Sequence, residues 1–425
     1  MGVKVAVIGG GSTYTPELIE GLANRSARLP IDALTLLDID AERLGVVGGL
    51  AGRMLSRVGW SGRLELTGDR EAAVDGADFV LVQLRIGGQA ARLVDETLPT
   101  EYGTIGQETT GAGGFAKGLR TIPVVLELAE LVSQRGAPGA WIVDFTNPVG
   151  MITQALLDDG HRAIGLCNVA ITVQRRMASL LGVDAESVQL EHVGLNHLSW
   201  VRAVQVDGVD RLPELLASRG EEIAEEMELP LDAFRRLGAI PSYYLRYFYT
   251  FDAVLAKQRD GHTRAQEVID IEARLLEMYR DPTLDEKPAL LANRGGAYYS
   301  EAAAQLLASL HDGRGDIQVV DVRNHGALRE LADDEVVEVP ARIDRDGAHP
   351  LPQRPLPDEM RELISQVKAY ERLAISAARS GDRAVALEAL RTNPLVGPRT
   401  DPEPLLAALL DANRRHLPRF FEGPG

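Results

Sequence analysis

The sequence predicts an α/β fold: a doubly wound, mostly parallel sheet followed by a mostly helical α+β domain. Three observations predict it. Short β-branched runs alternate with helical periodicity over the first ~200 residues, the pattern of parallel strands with helices on both faces. A glycine-rich turn joins the first strand to the first helix. From Val188 to Val206 the pattern changes to alternation across Gly194 and then Asp207-Gly208, which reads as antiparallel strands. The expected division is therefore 1–190, the doubly wound domain with its glycine-rich turn, and 191–425, the α+β domain.

The first-domain strands are Val3–Ile8, Ala33–Asp38, Phe79–Leu84, Trp141–Thr146 and Ala163–Leu166, with helices at Pro16–Leu22, Ala41–Val58 and Ile122–Gln134 between them. Beyond residue 190, helical spacing marks Leu212–Met227, Arg264–Tyr279, Ser300–Leu310, Asp358–Arg379 and Asp382–Arg391. Ile317–Val322 and Val336–Ile343 have the composition of further strands. Asp344–Pro357, carrying Pro350, Pro352, Pro355 and Pro357, reads as a loop.

With 425 residues, 45% of them hydrophobic, the chain has enough apolar material for a large core. Lys and Arg number 45 against 62 Asp and Glu, a net charge of −17, and no basic stripe is present to meet nucleic-acid phosphates. The single cysteine, Cys167, excludes an internal disulfide framework and any CxxC motif. No apolar run approaches the ~18 residues that suggest a membrane span. Met1-Gly2-Val3-Lys4-Val5 runs straight into a strand without signal-peptide regions, and Ala6 stands where a myristoylation signal wants Ser or Thr. The expectation is a cytoplasmic protein with neither a membrane nor a nucleic-acid partner.

Gly9-Gly10-Gly11-Ser12-Thr13-Tyr14 follows a strand and precedes a helix opening with Pro16 and Glu17. Such a turn lets a pyrophosphate approach backbone amides at the positive end of a helix. Tyr14 replaces the third glycine of the dinucleotide fingerprint, so a plain tight turn remains the competing reading. Asp38, at the end of the second strand, is placed to accept hydrogen bonds from ribose hydroxyls and to favour NAD over NADP. Asp40 is the nearby alternative. The strand candidates running into Gln83–Gly88 and into Thr146-Asn147-Pro148 deliver polar groups to the carboxyl edge of the sheet, where open α/β sheets bind ligands.

Cys167 and His197 form the informative pair at the chemistry end. Thiolate and imidazole both bind divalent metals, and two ligands with an open sphere suit an ion that also touches substrate. Alone, each is ordinarily a packed or hydrogen-bonded structural residue. The run Tyr243-Tyr244-Leu245-Arg246-Tyr247-Phe248-Tyr249 is either core packing or a source of a general base, because a nearby cation lowers a phenol's pKa of about 10. Arg92, Arg120 and Arg264 are candidate anchors for an anionic substrate.

Taken in order, these stretches resemble a known family. Gly9–Leu18, Gly106-Gln107-Glu108-Thr109-Thr110-Gly111 to Arg120-Thr121-Ile122-Pro123, Thr146-Asn147-Pro148, Cys167-Asn168-Val169 and Gly194-Leu195-Asn196-His197 are similar to glycoside hydrolase family 4. Tyr244–Tyr247, Thr263-Arg264-Ala265 and Arg294–Glu301 continue the likeness over nearly the whole chain. That family comprises NAD- and metal-dependent 6-phospho-glycosidases, and the resemblance implies a Rossmann-like first domain of the lactate/malate dehydrogenase kind.

The resemblance also implies roles. Cys167 and His197 match ligands of Mn²⁺ or another divalent transition metal, and Tyr244 matches the general base. Gly9, Gly11, Ser12, Thr13 and Asp38 fall at the NAD site, and Arg92, Asn147, Asn168 and Arg264 match substrate contacts. The implied reaction oxidises C3 of the sugar, removes the C2 proton to Tyr244, eliminates the C1 substituent, adds water and reduces C3 again. Asn168 stands where α-acting relatives tend to carry an aspartate acid, which points to a 6-phospho-β-glucosidase acting on a phosphorylated disaccharide or an aryl 6-phospho-β-glucoside. Ala170 and Tyr243 depart from the family pattern, and both bear on the shape of the sugar pocket. Related enzymes imply a homodimer or homotetramer. The rival readings are a 2-hydroxy-acid dehydrogenase, a silent NAD-sensing protein and a family member acting on another sugar; Asn196-His197-Leu198 lacks the Gly-Glu-His-Gly setting of the first.

Overall fold

Six strands, β1 (Val3–Ile8), β2 (Ile31–Leu37), β3 (Arg63–Thr67), β4 (Phe79–Val82), β5 (Trp141–Asp144) and β6 (Ala163–Gly165), pair in parallel in the order 3-2-1-4-5-6. This is a computed structural model, and it describes residues 2–296 and 298–422; Met1, and Ala297 of the Arg294–Glu301 motif, lie outside the described residues. The strand order reverses between β1 and β4, the place where doubly wound sheets open a ligand crevice.

The pleat explains why these runs are strands. On β1, Val5 and Val7 face one core while Ala6 and Ile8 face the other, so both sides of the sheet are packed. The expected strands and helices are found to within two residues, apart from the long helix Gly111–Arg135. Its first half was not expected, because Gly111, Gly113 and Gly114 weaken helix propensity. At Gly113 and Gly114 a side chain would collide with the backbone of Asp95, Gln107 and Thr109, so the lost propensity is exchanged for close packing. The edge strand β3 was also not foreseen, because it is short and none of its residues is buried.

After β6 the chain builds a second, antiparallel sheet from β7 (Val188–Leu195), β8 (Leu198–Val206), β9 (Val209–Asp210) and β10 (Ile240–Pro241). It then returns. β11 (Asp316–Arg323), β12 (Val336–Asp344) and β13 (Gly347–Pro350) extend the first sheet to nine strands in the order β13-β12-β11-β6-β5-β4-β1-β2-β3. The first sheet therefore takes strands from both sides of residue 190, and one hydrophobic cluster runs from Val5 and Leu36 through Trp200 and Val204 to Val339. β13 lies inside the expected proline loop: a hairpin pairs Ile343 with Ala348 and Asp344 with Gly347, and Pro350 ends it. Among the described residues, no helix is long and apolar enough to cross a membrane.

Candidate active site

A cleft of about 1190 Å³ opens at the switch point and extends over the carboxyl ends of β1 and β4. Gly9 leaves β1 at φ +89°, and a Cβ there would lie 2.7 Å from the carbonyl oxygen of Gln83. Only glycine makes this turn cheaply. The helix Thr15–Asn24 follows at once, with Pro16 and Glu17 in its first turn. Asp38 accepts from the amides of Gly11 at 2.9 Å and Asp40 at 3.0 Å, so its carboxylate braces the glycine loop while lining the cleft. Asp40, by contrast, caps the helix Ala41–Arg57 through the amide of Arg43.

Gly9, Gly11, Ser12 and Asp38 line the cleft; Thr13 does not. Thr13 is fully buried, donates its hydroxyl to Glu272 at 3.2 Å and receives Arg294 Nε at 2.7 Å. Glu272 also takes Gln89 at 3.1 Å and Arg43 at 3.4 Å, an arrangement that ties the loop to the helix Arg264–Tyr279. Tyr14 serves a similar purpose: its hydroxyl donates to the Gly296 carbonyl at 2.9 Å and receives the Ser300 amide at 3.0 Å. The position that lacks the third glycine thus joins the glycine loop to the second half of the chain.

At the other end, the rings of Tyr244 and His197 stack with centroids 3.7 Å apart, and the Tyr299 hydroxyl lies 3.8 Å from Cys167 Sγ. Both tyrosines line the cleft, whereas Cys167 and His197 are buried behind them. His197 sits at φ +62°, rare for a residue with a side chain, in the tight turn between β7 and β8. Burial lowers its pKa to about 4, so the imidazole is neutral, and its Nδ1 is buried without a hydrogen-bond partner. Burial, and then the charge of Glu338, push the Cys167 thiol up. Burial and the Cys167 charge hold the Tyr244 phenol well above its ordinary value. A neutral imidazole with an orphaned nitrogen, and a buried thiol whose anion would need a cation close by, are a donor set that fits a divalent metal. Among the described residues, no third His, Cys, Asp or Glu completes a ligand group.

Between the two ends lies a cluster that sequence reasoning missed. Glu108 receives Arg85, Lys117 Nζ at 2.7 Å and Arg92 Nε at 3.2 Å. Burial raises its pKa, but Arg85, Lys117 and Arg92 together hold the carboxylate well below the usual range. Burial brings the Lys117 ammonium down to about 8. Glu108 belonged to a quoted motif, but Lys117 lies two turns into the helix, and only the fold joins them. Arg92 is also gripped by Glu96 at 2.7 Å, whose second oxygen accepts the Ala265 amide at 2.7 Å. Arg264, at the head of that helix, bonds to Glu267 at 2.8 Å and to the Asn293 carbonyl at 2.6 Å.

Asn147 and Asn168 line the cleft beside Tyr244, and Asn147 Oδ1 is buried without a hydrogen-bond partner. Arg120 is a correction. It is wholly buried outside the cleft, with Nε on the Ile86 carbonyl, Nη1 on Asp95 and Asn413, and Nη2 on Asp95. No donor faces a ligand, so it is a structural ion pair.

Two family models match the chain: the family 4 glycosyl hydrolase model over residues 4–183 and its C-terminal domain model over residues 192–396. A probable 6-phospho-beta-glucosidase of Bacillus subtilis (strain 168) is 42% identical over 436 residues, covering 99% of this chain and 98% of the relative. The structure of the 6-phospho-beta glucosidase from Thermotoga maritima with manganese, NAD+ and glucose-6-phosphate superimposes with a TM-score of 0.91 at 37% identity, covering 97% of this chain and 99% of that one. A 6-phospho-alpha-glucosidase from gut microorganisms, in complex with NAD and Mn2+, gives a TM-score of 0.88 at 27% identity over 98% and 99%. A lactate dehydrogenase from a deep-sea metagenome library gives 0.55 at 16% identity over 89% and 99%, a likeness of fold alone.

Proposed function

The chain belongs to family 4 of the glycosyl hydrolases, and from that premise we propose that it hydrolyses 6-phospho-β-glucosides with NAD⁺ and a divalent metal, Mn²⁺ or a similar transition ion. One observation carries this reading: a single cleft joins the glycine loop and Asp38 to Tyr244, Tyr299 and Asn147, with Cys167 and His197 directly behind the tyrosines.

When bound, the nucleotide and the ion supply a hydride acceptor and a Lewis acid that acidifies the carbon beside a carbonyl. Everything else falls to the chain. Gly9, Gly11 and Ser12 would let the pyrophosphate come close to the head of the first helix, with Asp38 at the ribose. Thr13 supports the loop from behind. Cys167 and His197 would hold the ion, the first giving up its proton and the second already neutral. Tyr244 would take the C2 proton; buried as it is, it acts as a base only with positive charge close by, so proton transfer waits on a filled site.

Arg92 and Arg264 would hold the 6-phosphate. Glu96 fixes Arg92 and anchors the helix that carries Arg264, which pre-orients both. Asn147 Oδ1, with no partner of its own, suits a sugar hydroxyl. The Asn168 carboxamide cannot donate a proton as an aspartic acid would, and the higher identity to β-acting relatives supports the same anomer. The chain fits the cytoplasm, because a working thiol ligand calls for a reducing compartment. A homodimer or homotetramer is the proposed assembly, to be read by light scattering.

The test is release of p-nitrophenol from the β- and α-anomers of its 6-phospho-glucoside, under reducing conditions, with and without NAD⁺ and Mn²⁺. Cleavage of the β-anomer that needs both additions is expected. No cleavage of either anomer while NAD⁺ still binds would overturn the substrate.

A further inference from the structure

Behind Cys167 and His197, away from the cleft, lies a buried acid pair that none of the roles above uses. Asp321 on β11 faces Glu338 on β12, and on its other side Asp321 pairs with Gly165 of β6. Three strands thus set Gly165, Asp321 and Glu338 in a row. Gly165 is two residues before Cys167, and a Cβ there would lie 2.8 Å from Asp321 Cβ, so only glycine lets the acid in.

Glu338 reaches the other ligand's turn. Its Oε2 lies 2.7 Å from His192 Nε2, and its Oε1 accepts from Asn196 Nδ2 at 3.3 Å. Asn196 immediately precedes His197. His192 sits at the one irregularity in the β7–β8 register, between Leu190 and His192, and such bulges re-aim side chains. Glu338, His192 and His197 are all buried. Burial pushes the Glu338 carboxyl up, but the His192 hydrogen bond and charge bring it below the usual range; Asp321, with neither oxygen bonded, is held well above it. The pair therefore carries its charge on Glu338.

The left-handed backbone of His197 is a conformation that persists only where the surroundings impose it. Glu338 imposes it from one side: it grips the strand before the turn through His192 and the turn itself through Asn196. Both of its oxygens are taken, by His192 and by Asn196, so it acts through those residues.

We propose that Glu338 is a positioning residue for the Cys167–His197 pair: clamped to His192 and Asn196, it holds the β7–β8 turn in place and thereby sets the affinity of the site for a divalent ion. This rests on the reading of Cys167 and His197 as metal ligands. Groups one layer behind a metal site commonly change affinity by about 10–100-fold when altered.

The experiment titrates the metal-free full chain with Co²⁺ and follows the thiolate-to-cobalt absorption band, with NAD⁺ affinity measured in parallel as the mark of an intact fold. Cys167→Ala and His197→Ala come first; if the band survives both, the ligand assignment itself fails. With that band abolished, Glu338→Gln and Asn196→Ala should each weaken Co²⁺ binding, Glu338→Gln by at least tenfold, with NAD⁺ affinity within about twofold of the parent. Should Glu338→Gln lose NAD⁺ binding, Asn196→Ala decides. Unchanged Co²⁺ affinity in the variants that still bind NAD⁺ overturns the proposal.

Discussion

Acid should destabilise the metal-free protein through His197. Burial lowers its folded pKa from 6.5 to about 4. The unfolded chain therefore takes up a proton on this ring well before the folded one does. The stability this residue contributes is fully present above pH 6.5 and is lost as the pH falls toward 4. A span of 6.5 − 4, or 2.5 units, at 1.36 kcal/mol per unit is about 3 kcal/mol in full, of which about 2 kcal/mol is lost by pH 5. Against a typical total of about 5–15 kcal/mol, this is a large share.

The assay is urea unfolding at pH 7 and pH 5 for the parent and for His197→Gln. Each protein is compared with itself, so other titrating carboxylates and the cost of the substitution cancel. The parent should lose about 2 kcal/mol more than the variant between the two pH values. Equal losses would refute the idea that His197 is held neutral by burial. With Mn²⁺ present the parent's dependence should steepen, because coordination needs deprotonated ligands.

Other consequences are open to measurement. Arg120→Met leaves Asp95 buried and unpaired and should cost about 3–5 kcal/mol in urea unfolding, with Asp95→Leu/Arg120→Met recovering most of it; a cost near zero would mean the pair is not buried as described. In Gly11→Ala the new Cβ would come 2.8 Å from Asp38 Oδ2, so calorimetry should show NAD⁺ bound at least tenfold more weakly, ~1.4 kcal/mol. Unchanged affinity would separate Asp38 from the nucleotide. Tyr244→Phe should lower kcat by about 10²–10⁴ and abolish solvent deuterium entry at C2 of the sugar while NAD⁺ binds normally. Persistent exchange at C2 would give the base to another residue.

Much of this architecture was legible beforehand, for reasons that differ from element to element. β1 and the helix Arg264–Tyr279 occur with the bounds their patterns predicted, because each has an uninterrupted period and, for the helix, a capping box at Thr263. The first half of Gly111–Arg135 was hidden because its glycines serve tertiary packing. At the site, motif order singled out Cys167, His197 and Tyr244, yet no spacing shows that Tyr244 stacks on His197 while Tyr299 covers Cys167. Arg120 and Arg92 look alike in sequence, one turned inward onto Asp95 and the other held at the cleft by Glu96. Side-chain direction on a fully packed helix is set by neighbours distant in the chain, and so is that of Thr13 in the glycine turn, which Glu272 and Arg294 hold in the interior.

The return of β11 to the first sheet bears on how the chain is made. A nascent chain emerges from its N-terminus, and β6 is complete by Gly165, but the strand that covers its open side begins only at Asp316. Throughout that interval β6 presents an unsatisfied edge, the surface on which strands of other molecules assemble. The helix Asp358–Ser380, which packs on Gly111–Arg135, arrives later still. The first 190 residues therefore leave an edge that only a later strand covers, and a fragment ending at residue 190 should collect in aggregates where the full chain does not.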